Sequence, residues 1–202
     1  KSFIPDSAIV YLEKNIKIAE SIDNEIWVND SKMNLSLLYS IAGMYLDSDR
    51  LLNSIDIKNL HGELRVKYYD IRKQLFYYYP ASQLSEKQYN IYRDSLLTLL
   101  DLESNFAKII YSEKLIHLAQ YEEARNLLLP MYKDAEPDSH WLAVLAFSIG
   151  ETYRGEQNHE MQKKYYAISA MSDIKNVIKD YKSKPVISSS CPAIVRLIQV
   201  RF

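Results

Sequence analysis

Side chains able to do acid–base, metal or nucleophilic chemistry are scattered through this sequence rather than grouped. The four histidines, His61, His117, His140 and His159, stand far apart. His159-Glu160-x2-Lys163 comes nearest to a metal motif, but the H-E-x2-H zinc spacing needs a second imidazole where Lys163 stands. Cys191 is the single cysteine, which excludes an intramolecular disulfide framework and any multi-cysteine zinc site. The sequence contains neither a G-x4-G-K-[ST] phosphate loop nor a G-x-S-x-G nucleophile elbow. Glu122-Glu123 reads most simply as a pair of carboxylates at the positive end of a helix dipole. The expectation is a non-enzymatic protein with no catalytic residue, no metal and no cofactor; only a hydrolytic site assembled from separate helices would escape such a reading.

Aromatic recognition is the chemistry that the composition does favour. There are 17 tyrosines among 202 residues, and tyrosine is enriched both on binding surfaces and in half-buried seams between helices. Tyr39, Tyr45, Tyr121, Tyr153 and Tyr166 recur at helical packing positions and read as seam residues. Tyr68, Tyr69, Tyr77, Tyr78 and Tyr79 crowd one helix beyond what a single buried face accommodates, which makes them candidates for lining a recognition groove.

Charge and hydropathy narrow the partners. A formal net charge of −1, with no clustered stripe of Lys and Arg, removes the electrostatic basis for binding nucleic acid. The densest apolar run, Trp141 to Ile149, is far shorter than the roughly 18 residues of a membrane helix, so no membrane span is expected. The first residue is Lys1 rather than Met. An upstream segment is therefore expected to have been processed or trimmed, and the lack of a signal peptide does not argue for the cytoplasm.

The elements that position these residues are helices. With 48% hydrophobic residues, 25% charged and only 4 glycines, the chain has the material for helices joined by short turns. Apolar spacing predicts helices over about 6–22, 26–42, 44–55 and 61–79, the last ended by Pro80. Ser85-Glu86-Lys87-Gln88 fits a capping box for the next helix. Further helices are predicted from Ser104 to Ala119, Tyr121 to Lys133 and His140 to Arg154, and from His159 to at least Met171.

These helices repeat. A small or polar residue near the start of each second helix, Ala8, Ser48, Gln88, Ala124 and Gln162, recurs at separations of 40, 40, 36 and 38. Four residues after each lies Leu12, Leu52, Tyr92, Leu128 or Tyr166. Glu86-x-Gln88-x3-Tyr92-x2-Ser95 recurs as Glu160-x-Gln162-x3-Tyr166-x2-Ser169. Two helices per period of about 38 residues predict a stacked α-solenoid.

Leu35-Ser36-x2-Tyr39 and Ile149-Gly150-x2-Tyr153, with the turns Gly43-x-Tyr45 and Ala119-x-Tyr121, resemble the tetratricopeptide (TPR) repeat over about residues 6–174. The period is longer than 34, Lys32, Lys108 and Ala146 replace the characteristic Trp, and Gln88 and Gln162 replace a small residue. The resemblance implies an all-α, right-handed α-solenoid of about 4–5 antiparallel helix pairs over residues 1–181. It also implies a concave side approached by Met33, Leu37, Lys73, Tyr77, Glu113, His117, Phe147, Glu151 and Arg154. Asp6-Ser7-Ala8, Leu35-Ser36-Leu37-Leu38-Tyr39, Gly43-Met44-Tyr45 and Ser169-Ala170-Met171-Ser172-Asp173-Ile174-Lys175-Asn176 are similar to the sensor region of bacterial membrane-tethered regulators. There an extracytoplasmic TPR array precedes a membrane helix and a cytoplasmic regulatory domain. That likeness implies a sensing module outside the cytoplasm. Residues 182–202 break the repeat with no membrane helix or DNA-binding domain, and are expected either to cap the last helix or to form a flexible end. The implied function is a scaffold for a protein or peptide segment; the alternative is a module whose solenoid faces mediate homo-oligomerisation.

Overall fold

The computed structural model describes the backbone of residues 5–180 and the side chains of residues 8–175. The α-helices are α1 (Pro5–Ser21), α2 (Glu25–Ile41), α3 (Tyr45–Asn53), α4 (Gly62–Tyr78), α5 (Gln83–Leu97), α6 (Asn105–His117), α7 (Tyr121–Asp134), α8 (His140–Gly155) and α9 (His159–Asp180). A 3-10 turn, Ile57–Asn59, lies between α3 and α4, and no strand occurs among the described residues. The all-α repeat class read from the sequence is the class observed. Residues 182–202, expected to form a cap or a flexible end, lie outside the described residues.

One turn geometry joins the helices of three hairpins and recurs between α1 and α2, where Asp23 takes φ 51° and the Asn24 N–H donates to the Ala19 carbonyl at 2.9 Å. After α2, α6 and α8 a single residue takes positive φ: Gly43 at 80°, Ala119 at 58° and Gln157 at 60°. The next amide then donates back across the turn, Met44 N–H to the Tyr39 carbonyl, Gln120 N–H to Leu115 and Asn158 N–H to Tyr153, at 2.8, 2.9 and 2.9 Å. This left-handed C-cap closes orphan carbonyls and reverses the chain within residues 42–44, 118–120 and 156–158. The α4–α5 hairpin differs. Tyr79 is extended before Pro80, and Ser82 caps α5 in a capping box whose second member is Ser85. The box predicted to start at Ser85 therefore starts one turn earlier, and Ser85 is its N3 residue.

The chain forms two compact units, residues 1–100 and 101–202. In the first, Met33, Leu52, Ile55, Leu60, Tyr68, Ile71 and Leu75 make the core, and α2 packs on α1, α3 and α4. In the second, the core is Ile109, Leu128, Leu145, Ala146, Ile149 and Tyr165, and α8 packs on α6, α7 and α9. The small residues predicted to let helices approach do so. Ala124 is fully buried in α7, and Ser48 is fully buried in α3. The Ser48 hydroxyl lies 2.7 Å from Ser36 Oγ and 2.8 Å from Ser40 Oγ, so three hydroxyls satisfy one another inside the hairpin. Gly155 brings α8 against the ring of Tyr121: a Cβ there would stand 2.3 Å from the ring. Tyr121 thus packs against the end of α8 as a seam residue.

Two cations tie a second helix to the first helix that follows it. Arg72 of α4 is 4% exposed; its guanidinium reaches Asp49 of α3 at 2.6 Å, also bonds Asn53, and donates from Nε to the Tyr68 hydroxyl at 3.0 Å. In the other unit Arg125 of α7 reaches Glu156 at 2.6 Å and Thr152 Oγ1 at 3.3 Å, and lies over the Tyr153 ring at 4.7 Å. Asp49 follows Ser48 as Arg125 follows Ala124, so equivalent repeat positions carry opposite charges.

Candidate functional site

In the second unit, Ser139 caps α8 by accepting from the Leu142 amide, which fixes where the helix starts. Phe147, Glu151 and Arg154 then fall on one side of it at spacings of four and three. Gly150 lies between them, and a Cβ there would come within 2.6 Å of the Tyr166 ring, so glycine admits that ring onto the backbone of α8. Tyr166 of α9 stacks on Phe147 with centroids 5.5 Å apart and donates its hydroxyl proton to Glu151 Oε1. Glu151 Oε2 is 2.5 Å from an Arg154 guanidinium nitrogen. Burial first, and then the hydrogen bond to Glu151, hold the Tyr166 phenol well above its usual ionisation range. The result is a stacked aromatic pair beside a half-exposed guanidinium held by a half-buried carboxylate. Glu113, half-buried, and His117, exposed, lie one turn apart on α6, which packs directly against α8.

The candidate residues of the first unit divide. Tyr77 is 48% exposed at the end of α4, edge-on to Tyr78 and 6.4 Å from the Tyr89 ring of α5. Leu37 is half-buried against the core. Met33 and Lys73 depart from the expectation. Met33 is 0% exposed within the cluster that holds Leu60, Ile71 and Leu75. Lys73 is 5% exposed, with its ammonium 3.5 Å from Asp70 and 5.9 Å from the Tyr89 ring centroid. Burial removes both from contact with a ligand. The reason for Met33 is tertiary: the 54–61 connection buries Leu60 and brings α4 over that side of α2.

The tyrosine cluster also divides. Tyr68 is a core residue, Tyr69 and Tyr78 are half-buried, and Tyr77 and Tyr79 are the exposed members. Tyr79 packs on Tyr45 at 5.1 Å, and Phe76 stacks on Tyr92 at 5.7 Å. Most of this aromatic surplus therefore makes the α4–α5 seam. No cluster of His, Cys, Asp and Glu with metal-binding geometry occurs among the described residues. His140, exposed at the start of α8, pairs with Asp173 at 2.9 Å. No described helix is long and apolar enough to cross a membrane.

A family model described as the SusR N-terminal TPR domain matches residues 1–188. The chain belongs to that family. No curated protein and no solved structure gives a significant match. The SusR-type TPR domain is thus a helical-repeat domain of the protein-interaction class. Within it, the role of Tyr166 as the partner of Phe147 and Glu151 is not visible in the sequence, where the residue reads as packing only. Arg72 and Arg125 were missed as well; the usable signal was the charged residue that follows the small packing residue at both Ser48 and Ala124.

Proposed function

We propose that this SusR-type TPR domain is a non-enzymatic scaffold that binds a peptide or protein segment and serves as the sensing part of a bacterial regulator, outside the cytoplasm. The observation that carries the reading is the family match across residues 1–188. The α8–α9 patch supplies its chemistry. The Phe147–Tyr166 stack takes an apolar side chain of the bound segment, and Arg154, steadied by Glu151, meets a carbonyl or carboxylate. Glu113 and His117 on α6 are the further contact residues of this unit; Leu37 and Tyr77 are contact candidates of the first unit taken by itself.

Selection of a displayed random-peptide library on the purified domain tests the scaffold. Enriched peptides should bind at least tenfold more weakly to Arg154→Ala, whereas a library with no enrichment over the support defeats the reading. The regulatory part is tested by the full reading frame. A membrane helix and a regulatory domain encoded after these residues support it, and a frame with neither overturns it.

A further inference from the structure

In the first unit, α2, α3 and α4 each hold a side-chain amide on a carboxylate four residues earlier. Asn34 Nδ2 donates to Asp30 Oδ2 at 3.1 Å, Asn53 Nδ2 to Asp49 Oδ2 at 2.9 Å and Gln74 Nε2 to Asp70 Oδ2 at 2.8 Å. A carboxylate only accepts, so each pair fixes which end of the amide faces it and turns the amide carbonyl away. In α3 that carbonyl meets a donor from the next helix: Asn53 Oδ1 accepts from the Arg72 guanidinium of α4. In α2 and α4 the same device has no such donor. Among the described residues no protein group donates to Asn34 Oδ1 or Gln74 Oε1, and both oxygens are open to water although their residues are half-buried.

These two carbonyls are related by the repeat. Asp30-x3-Asn34-x2-Leu37 returns as Asp70-x3-Gln74-x2-Tyr77, 40 residues on, the interval that separates Ala8 from Ser48 and Ser48 from Gln88. Lys67 Nζ of α4 lies 2.5 Å from Asp30 Oδ1 of α2, which sets both stripes on one side of the α2–α4 contact. From Asp30, Asn34 and Leu37 follow at helical spacings of four and three; from Lys67, Asp70, Gln74 and Tyr77 follow at three, four and three. Both acids are answered by cations, Asp30 by Lys67 and Asp70 by the Lys73 ammonium at 3.5 Å. The face therefore offers amides, with half-buried Leu37 and exposed Tyr77 beside them, rather than net charge.

We propose that this face of α2 and α4 binds the backbone of an extended peptide segment, which crosses the two helices and is held by Asn34 and Gln74. Each amide gives its carbonyl to a peptide N–H and its remaining N–H to a peptide carbonyl. Packed helices lie about 8–10 Å apart. A polyproline II segment makes no internal hydrogen bonds, and its residues three apart return to one side at about 9 Å. The bound segment thus uses two peptide groups three residues apart, neither of them with a proline nitrogen, and sets apolar side chains on Leu37 and Tyr77. The inference rests on the scaffold reading and adds backbone recognition by the first unit, on residues apart from the α8–α9 patch.

The test uses the full 202-residue chain carrying Arg154→Ala, which disables the α8–α9 patch. A displayed random-peptide library should still enrich on it. An enriched peptide, synthesised with a fluorescein label and titrated by anisotropy, should bind at least tenfold more weakly once Asn34→Leu or Gln74→Met is added, with helicity by circular dichroism unaltered. Methylating the backbone nitrogens of the peptide one at a time should cost at least tenfold at two positions three residues apart, a readout that leaves the protein unchanged. Enrichment on the unaltered chain but none on Arg154→Ala overturns the inference and leaves the scaffold reading standing; enrichment on neither defeats both. Binding indifferent to Asn34→Leu and Gln74→Met, or to every methylation, overturns it as well.

Discussion

Removing Asp49 should cost more than removing the arginine it holds. Arg72 is 4% exposed, so its guanidinium depends on Asp49, Asn53 and the Tyr68 hydroxyl, with the Tyr68 and Tyr92 ring centroids 5.4 and 5.8 Å away. Breaking a fully buried ion pair by deleting one partner costs about 3–5 kcal/mol, because the other charge stays buried without compensation. The Asp49 side chain is 43% exposed, so water replaces part of what the carboxylate supplies. Asp49→Ala is therefore expected to destabilise by about 2 kcal/mol. Arg72→Met removes the buried charge, keeps most of the volume and leaves a carboxylate that already reaches water; about 1 kcal/mol is expected. Urea denaturation followed by circular dichroism reads both, and the double variant should match Arg72→Met alone. The reasoning is refuted if Arg72→Met proves the costlier single change, or if the two effects simply add.

Other expectations rest on separate features. Ala124→Leu should overpack the α6–α7 hairpin and destabilise by about 1–3 kcal/mol in the same urea assay, since Ala124 is 0% exposed. Ala119→Gly should stabilise by about 0.5–1 kcal/mol, because alanine at φ 58° pays a left-handed strain that glycine does not; Gly43→Ala, at φ 80° in the equivalent turn, should act in the opposite direction. The Tyr166 phenol is held above its usual ionisation range near 10 by burial and by Glu151. Below that range both folded and unfolded chains hold the proton and stability is level. Above it the unfolded chain ionises first, so stability falls as pH rises past about 10. Tyr166→Phe should lessen that alkaline loss in melts at pH 9–11, leaving the part that comes from Tyr39, Tyr68, Tyr78 and Tyr165, whose ionisation is also shifted upward.

What the sequence determined by itself was periodic and local. Apolar spacing of three and four residues, the stops at Gly43 and Pro80 and the small residues at Ser48 and Ala124 settle helix ends to within a few residues, because backbone hydrogen bonding and side-chain volume act over one or two turns. The box at Ser82 is expected one turn late for the same reason: Ser82 and Ser85 both offer a capping hydroxyl there, and the extended Tyr79–Pro80 geometry decides between them. Only the tertiary structure decided which side of each helix stays open. Met33 and Lys73 fit a first-helix surface by spacing, yet the 54–61 connection and the aromatic α4–α5 seam bury them. For Arg72 and Arg125 it is likewise the packing of helices that brings Asp49 and Glu156 to 2.6 Å from the guanidinium.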